Sequence, residues 1–139
     1  MHPHANAIGV EVVNSCHLIA KIIVGGLTRH FPHLGHTVQL VSGDVLDPHV
    51  DPPIPLASVT VMLMSDMLFE ESLHQQIFHL LLSRCGRLRR LVKTKALPCH
   101  LSGLFSSPRT VTLKVSWGVS GCAYLVYDKI FKVGSDLVN

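Results

Sequence analysis

Apolar residues along this chain recur at two spacings, which predict where strands and helices lie. Ala7–Glu11 is a short apolar run that ends in a carboxylate, and this pattern indicates a buried strand. From residue 16 to residue 27 the apolar positions recur every three or four residues, as on one face of a helix. Asn14 or Ser15 offers an N-cap for that helix, and the Gly-Gly pair at residues 25–26 weakens or ends its last turn.

The middle of the chain repeats both patterns. Residues 38–45 and residues 58–64 predict two further strands, and the four prolines within residues 46–55 predict a loop between them. Residues 70–85 carry the strongest helical pattern, with glutamates at the start and an arginine at the end, as the helix dipole favours. Residues 88–97 predict a fourth strand, which the following proline ends.

The last third of the chain predicts a hairpin. Residues 110–117 alternate apolar and polar side chains, which is typical of a half-exposed strand. Residues 118–121 then predict a turn, and residues 122–127 a returning strand. The alternation of strands and helices predicts an α/β fold with a mostly parallel sheet and a C-terminal antiparallel hairpin, built as a single domain over residues 1–139.

Composition narrows the class of protein. Apolar residues make up 47% of the chain and charged residues 15%, with a mean hydropathy of +0.38, so we expect strands covered on both faces. No apolar run reaches the roughly 18 to 20 residues that a membrane span needs, and the N-terminus lacks the features of a secretory signal. The four cysteines form no Cys-x-x-Cys pair, and we expect reduced thiols in an intracellular protein.

Two carboxylates stand where an open α/β sheet binds its ligand, just after the carboxyl ends of strands. They are Glu11, after the first predicted strand, and Asp44, near the end of the second. The first can accept hydrogen bonds from ribose hydroxyls, and the second from an adenine amino group. The chain contains no G-x-G-x-x-G or similar glycine-rich turn. We therefore expect a nucleotide-cofactor domain without its first strand and glycine loop.

Short motifs follow these strand ends in a fixed order. They are Gly-Val-Glu at residues 9–11, Gly-Asp-Val-Leu at 43–46, Ser-Asp-Met-Leu-Phe at 65–69, Gly-Arg-Leu at 86–88 leading to Lys-Ala-Leu at 95–97, and Val-Ser-Trp at 115–117 followed by Tyr124. Over about residues 7–130 this order resembles the nucleosomal histone H3 core-lysine methyltransferases named for disruption of telomeric silencing. The resemblance implies a Rossmann-like class I methyltransferase sheet, truncated at its N-terminus, in a nuclear enzyme that acts on histone H3 in the nucleosome.

The resemblance also implies how the cofactor, S-adenosyl-L-methionine, would be held. Glu11 would bind its ribose hydroxyls, Asp44 would accept from its adenine amino group, and Val45 would pack on the purine in place of an aromatic residue. Ser65 and Asp66 replace the family's Asn-Asn pair. Ser65 would therefore face both the cofactor and the substrate lysine.

The substrate side of the site is implied in the same way. Ser65, Asp66 and Tyr124 are the candidate catalytic residues. An apolar channel that favours a neutral amine would suit methyl transfer, since this displacement needs alignment and exclusion of water more than a strong acid or base. The channel walls would be Met67, Phe69, Trp117 and Tyr124.

Each of these residues also has a purely structural interpretation. Glu11 could be a surface carboxylate at a strand end, and Asp44 could be part of a turn. The Ser-Asp pair at residues 65–66 could be the N-cap of the next helix. Trp117 and Tyr124 could be core residues or hairpin partners.

Basic and imidazole side chains raise two further questions. Six cations within twelve residues could contact a nucleic-acid backbone or an acidic histone surface, or could form a solvated helix end and strand edge: Arg84, Arg87, Arg89, Arg90, Lys93 and Lys95. Histidines at 30, 33 and 36 recur every three residues, but Pro32 and Gly35 break any helix there. We expect no metal site, because no cysteine or carboxylate joins these histidines.

Three functions therefore stay open from sequence. The first is a catalytic-domain fragment of a histone H3 lysine N-methyltransferase. The second is a non-catalytic remnant that binds chromatin or a partner protein, which the missing glycine loop favours. The third is a class I methyltransferase for another substrate, which the spacing from Val-Ser-Trp to Tyr124 disfavours.

Overall fold

The computed structural model describes residues 6–51, 53–115 and 118–130 of the chain. The strands in these residues are β1 (Ala7–Glu11), β2 (Val38–Ser42), β3 (Val61–Met64), β4 (Arg90–Lys93), β5 (Arg109–Val115) and β6 (Gly118–Asp128). The helices are α1 (Asn14–His30), α2 (Leu34–Thr37) and α3 (Glu71–Arg84), with 3-10 turns at Leu56–Ser58 and Cys99–Leu104. The chain divides into two compact units, Met1–Pro55 and Leu56–Asn139, here called unit 1 and unit 2.

Unit 1 is a β-α-β arrangement. β1 and β2 pair in parallel, with Ala7 opposite Val38 and Glu11 opposite Ser42. α1 makes the crossover between them, as parallel neighbours require. His17 on α1 and Val41 on β2 are buried.

Helix α1 differs from its prediction at both ends. It begins at Asn14 with Val13 in the cap position, and no side chain caps it. It continues through the Gly-Gly pair to His30. Glycine lowers helix propensity by only about 1 kcal/mol per residue, so a pair of glycines weakens a helix without ending it.

The outward face of α1 is apolar and solvent-exposed. Ile22 is 75% exposed, and the other members of this face are Leu18, Ile19, Ile23 and Leu27. A helix that is apolar on its outward side as well as its buried side is typical of a buried element. In this structure only part of the apolar surface of α1 is covered.

Strand β2 ends at Ser42, three residues before the predicted end. Gly43 follows with φ of +155°, a conformation that side chains disfavour. A Cβ atom at Gly43 would lie 2.5 Å from Cγ2 of Val50. The loop that was predicted from prolines therefore folds closely over the strand end, and Asp44 lies in this loop rather than in the strand.

Unit 2 contains a four-stranded sheet of order β3-β4-β6-β5 with α3 beside it. β3 and β4 are parallel, while β6 runs antiparallel to both β4 and β5. The core combines α3 with this sheet and includes Ile77, Phe78, Leu81, Leu88, Leu91 and Tyr127. The predicted α/β fold with parallel strands and a C-terminal antiparallel pair is confirmed, although the described strands lie in two sheets rather than one.

The turn predicted at residues 118–121 is wrong, because these residues belong to β6. The pairing of β5 with β6 shifts register between Leu113 and Val115. Gly121 lies at this irregularity with φ of +84°, and a Cβ there would be 2.8 Å from the Leu113 carbonyl oxygen. The glycine that suggested a hairpin turn therefore permits a bulge inside a longer strand.

Other elements are shorter than predicted or absent from the prediction. β3 covers residues 61–64 and β4 residues 90–93. Residues 34–37, predicted as part of a connection, form the single turn α2. No helix in the described part of the chain is long and apolar enough to cross a membrane.

Candidate functional site

Glu11 and Asp44 both lie at the carboxyl end of the parallel strand pair in unit 1. Glu11 is paired with Ser42, and Asp44 follows two residues later. Glu11 is the last residue of β1, and its carbonyl accepts a hydrogen bond of 3.0 Å from the amide of Gly43. Asp44 is the next residue after Gly43. Both carboxylates therefore follow the carboxyl ends of adjacent parallel strands, where open α/β sheets bind ligands.

Each of these carboxylates also has a local structural role. Oε1 of Glu11 accepts from the Val13 amide at 2.8 Å, just before α1 begins. Oδ1 of Asp44 accepts from the Leu46 amide at 2.9 Å, which is an Asx turn. Within the described residues, the second oxygen of each carboxylate has no hydrogen-bond partner. Val45 lies next to Asp44 and is half-buried.

The carboxyl edge of β3 in unit 2 holds a buried ionic cluster around Asp66. Both Asp66 and Lys93 have side chains that are 0% exposed, and Lys93 Nζ lies 2.8 Å from Asp66 Oδ2. The other carboxylate oxygen accepts from the Thr94 amide at 2.8 Å and the Thr94 hydroxyl at 2.7 Å. The Lys95 amide adds a longer contact of 3.2 Å. These bonds tie the loop after β3 to the loop after β4.

Lys93 and His74 complete the cluster. Lys93 Nζ donates to the carbonyls of Lys95 at 2.7 Å and Ala96 at 3.2 Å. Nε2 of His74, on α3, lies 2.9 Å from Asp66 Oδ2, although the two atoms are not aligned for a hydrogen bond. Nδ1 of the same ring faces Glu71 Oε2 at 4.0 Å.

The electrostatics of Asp66 follow from these contacts. Burial by itself raises the pKa of a carboxyl group, but hydrogen bonds from Lys93, Thr94 and the Lys95 amide favour the charged form more strongly. The pKa of Asp66 is therefore lowered from 3.8 to about 2. A carboxylate held in this way is ionised at neutral pH. Its hydrogen bonds from Thr94 and Lys95 all reach Oδ1, whereas Oδ2 is held by the charge of Lys93.

This environment corrects the role expected for Asp66. A substrate cannot reach the carboxylate, because it has no exposed surface. Asp66 does not cap α3 either, since that helix begins at Glu71 with Glu70 in the cap position. Asp66 anchors a loop, and its neighbour Ser65 is the exposed member of the pair.

Ser65 and Tyr124 lie side by side at the same edge. The Ser65 hydroxyl is 3.4 Å from the Tyr124 hydroxyl, which comes from β6. Ser65 is exposed, whereas Tyr124 is only 4% exposed. The two hydroxyls can donate or accept, so together they form a small polar pair at the end of β3.

The predicted channel walls differ in their surroundings. Met67 is 57% exposed and Phe69 is half-buried. The Phe69 carbonyl accepts a hydrogen bond of 2.6 Å from Lys95 Nζ, which fixes the end of this loop. Trp117 and the adjacent Ser116 lie outside the described residues.

Three members of the Asp66 cluster were not predicted as such from the sequence. His74 and Lys93 carry side chains that are mostly exposed in proteins, and Thr94 follows Lys93 as an ordinary strand residue. The one available signal was position. Lys93 lies two residues after Leu91 on β4, so the two side chains share a face of the strand, and Leu91 is fully buried. Period two placed Lys93 on the buried face, where it needs a partner such as Asp66.

The predicted basic run is divided by the fold. Lys93 is buried, so the proposed contact between Lys93 and nucleic acid is wrong for this structure. Lys95 is half-buried and binds the Phe69 carbonyl. The four arginines of the run remain exposed at the other end of the sheet: Arg84, Arg87, Arg89 and Arg90.

In the described part of the chain, no group of three or more His, Cys, Asp or Glu side chains is arranged to hold a metal ion. No protein-family model matches the chain, and no curated protein matches it either. The methyltransferase resemblance therefore depends on the motifs and on the geometry described above.

Proposed function

We propose that this chain is a catalytic-domain fragment of an S-adenosyl-L-methionine-dependent histone H3 lysine N-methyltransferase. The observation that carries the proposal is the position of Glu11 and Asp44 after adjacent parallel strands, each with one carboxylate oxygen uncommitted among the described residues. This arrangement fits the nucleoside half of the cofactor. Ribose hydroxyls and an adenine amino group are donors, and carboxylate oxygens are their acceptors.

Strand pairing supports the same proposal. In a doubly wound sheet of order 3-2-1-4-5-6, strand 1 lies between strands 2 and 4. If strand 1 is removed from such a sheet, strands 2 and 3 remain as one parallel pair. Strands 4 and 5 remain as a second parallel pair, which begins a separate group of strands. The pairs β1-β2 and β3-β4 are both parallel and agree with this pattern, and β6 supplies the antiparallel strand of the resembled fold.

The residues do not fit the whole cofactor equally well. The 139 residues contain no glycine-rich turn to hold its methionine half. Lost hydrogen bonds contribute about 1 kcal/mol each, so several of them would weaken binding by a few kcal/mol. We therefore expect the chain to bind adenosine and S-adenosylhomocysteine with similar affinities, through the nucleoside half.

On the substrate side, the cofactor would supply an electrophilic methyl group, and the chain would supply groups that orient the amine and apolar surface beside it. Ser65 and Tyr124 offer hydroxyl oxygens that can accept from a lysine amine. Met67 and Phe69 offer apolar surface that disfavours the ammonium form. The hydrogen bonds of Asp66 hold this loop in place, so we give Asp66 a positioning role.

A non-catalytic remnant is the second candidate, and a specific observation favours it. The acidic residue after β3, Asp66, is fully buried against Lys93 and has no surface to offer to a substrate. A nucleotide-binding or chromatin-binding module without turnover is compatible with such a site.

The decisive experiment is calorimetric titration of the chain with S-adenosylhomocysteine and with adenosine, using Asp44→Asn as the test variant. Asparagine keeps an oxygen for the Leu46 amide but replaces the other oxygen with a donor, which opposes an adenine amino group. Asp47→Asn is the matched control, because Oδ1 of Asp47 makes the same kind of turn contact with the His49 amide at 2.8 Å. We expect binding by the wild-type chain and by Asp47→Asn, and at least a tenfold loss in Asp44→Asn.

Two outcomes would contradict the proposal. A folded wild-type chain that binds neither ligand removes the cofactor assignment, and so does equal binding by Asp44→Asn and Asp47→Asn. Nucleoside binding without methylation of nucleosomal histone H3 would select the remnant.

A further inference from the structure

One end of the four-stranded sheet is strongly basic. At this end β4 and β5 begin and β6 ends. We call it the basic edge and define it by five cations: Arg84, Arg87, Arg89, Arg109 and Lys129. The four arginines are exposed and Lys129 is half-buried. Only the first three belong to the basic run visible in the sequence, because Arg109 and Lys129 arrive from β5 and from the end of β6.

Backbone pairing brings these cations together. The Lys129 amide donates to the Arg89 carbonyl at 2.8 Å, so these two residues lie side by side beyond the β4–β6 ladder. Arg109 is the first residue of β5 and pairs with Val126 of β6. Arg84 is the last residue of α3. Burial raises the pKa of the Cys85 thiol, and the charges of Lys129 and Arg84 partly oppose this rise.

None of the five cations forms a salt bridge among the described residues. The salt bridges found there involve other cations, and the nearest one joins Arg90 Nε to Asp128 Oδ1 at 2.6 Å. Hydrogen bonding from Arg90 lowers the pKa of Asp128, and the charge of Arg109 adds to this effect. Asp128 is therefore already engaged, and like charges at neighbouring strand positions destabilise a sheet unless an anion is bound.

The size and residue type of the edge indicate which anion it fits. β4 and β5 flank β6, so these two strands lie about 10 Å apart across the sheet. About 10 Å of duplex nucleic acid carries roughly six phosphate charges. Arginine binds phosphate through two parallel hydrogen bonds, and four of the five cations are arginines. We propose that the basic edge binds the phosphate backbone of double-stranded nucleic acid without reading its sequence.

Other anionic partners fit less well. Binding of single strands uses exposed aromatic side chains for stacking, whereas Phe105 and Tyr127 near this edge are each only 4% exposed. An anionic membrane is the rival, because Leu104 and Ile130 beside Lys129 are partly exposed. The proposal does not depend on methyltransferase activity, since Ser65 and Tyr124 lie at the opposite edge of the sheet.

The test is fluorescence anisotropy of a labelled 20-base-pair duplex with the full chain, in 50 to 200 mM salt. Five phosphate contacts predict a slope of log affinity against log salt of about −4.5. The variant Arg87→Gln/Arg89→Gln should reduce the steepness of this slope by about 1.8 and lower affinity at 50 mM by roughly a hundredfold. Lys21→Gln/Arg29→Gln is the control, because it removes the same charge from exposed positions of unit 1 and should leave the slope unchanged.

The wild-type titration tests the proposal independently of how any variant folds. Absence of duplex binding at 50 mM salt would overturn it, as would equal losses in the test and control variants with unchanged circular dichroism. Binding to phosphatidylserine vesicles without binding to the duplex would assign the edge to lipid instead. A preference of more than tenfold between two unrelated duplex sequences would refute the absence of sequence readout.

Discussion

Replacing Asp66 with asparagine tests the main structural claim about unit 2. Asparagine has the same shape and can still accept from the amides of Thr94 and Lys95, but it removes the negative charge opposite Lys93. The ammonium group of Lys93 would then remain 0% exposed with two carbonyl oxygens and the Phe78 ring, 5.3 Å away, as partners, and with no opposite charge. The substitution therefore isolates the charge from the packing.

Two estimates bound the expected loss of stability. The pKa of Asp66 falls from 3.8 to about 2 on folding, which corresponds to about 2 kcal/mol of stabilisation at neutral pH. Leaving one member of a buried ion pair without its partner typically costs about 3–5 kcal/mol. We expect Asp66→Asn to destabilise unit 2 by about 2–5 kcal/mol, a large part of the roughly 5–15 kcal/mol that stabilises a typical domain.

A double-mutant cycle in urea, followed by circular dichroism, gives the measurement. Lys93→Met removes the buried cation and replaces it with apolar volume. The variant Asp66→Asn/Lys93→Met should be more stable than Asp66→Asn, because it no longer buries an unpaired ammonium group. Asp128→Asn is the control, since it breaks the half-exposed pair with Arg90 and should have a far smaller effect.

The reasoning fails if Asp66→Asn unfolds at the same urea concentration as the wild type. It also fails if the two single losses simply add in the double variant, since additive losses mean that the two side chains do not interact.

Two further predictions concern pH and backbone conformation. The pKa of Asp66 in the folded protein lies below its ordinary value, so the contribution of Asp66 to stability is complete above about pH 4 and is lost as the pH falls towards 2. Acid titration of the wild type should therefore show a loss of about 2 kcal/mol in the free energy of unfolding that Asp66→Asn lacks. Gly43→Ala should destabilise unit 1 by at least about 1 kcal/mol, because its φ is +155° and its Cβ would meet Val50. Gly25→Ala lies within α1, where a Cβ would meet no other atom, and should instead stabilise unit 1 by about 0.5–1 kcal/mol. If the melting temperatures of the two variants shifted in the same direction, the argument would be contradicted.

Local patterns predicted the elements that depend on local interactions. The first strand, the helix at Glu71–Arg84 and the strand at Arg109–Val115 lie within a residue or two of the predicted bounds. Errors arose where a distant contact decides the conformation. At Gly43, just after β2, a Cβ would meet Val50, and at Gly121, in the bulge, it would meet the Leu113 carbonyl. Neither partner is adjacent in sequence.

The candidate site shows the same limit. Strand ends can be recognised from sequence, so the positions of Glu11, Asp44 and Ser65 at or just after strand ends were predicted correctly. Whether a carboxylate at such a position faces solvent or the core depends on which side chains surround it. The burial of Asp66 was not predicted, because its partner Lys93 lies 27 positions further along the chain, and a lysine on a strand is ordinarily exposed.

Activity measurements on Asp66 variants therefore cannot assign a catalytic role to this residue. A loss of about 2–5 kcal/mol of stability lowers the folded fraction of a marginally stable domain and so lowers activity, whatever the carboxylate does in catalysis. Asp44 gives a clearer answer, because Asp44→Asn keeps the turn contact with the Leu46 amide and alters only the oxygen that the fold leaves uncommitted. The function of this chain is better tested at unit 1, where the acidic residue still has an oxygen available for a ligand, than at unit 2, where the acidic residue is fully engaged by the protein itself.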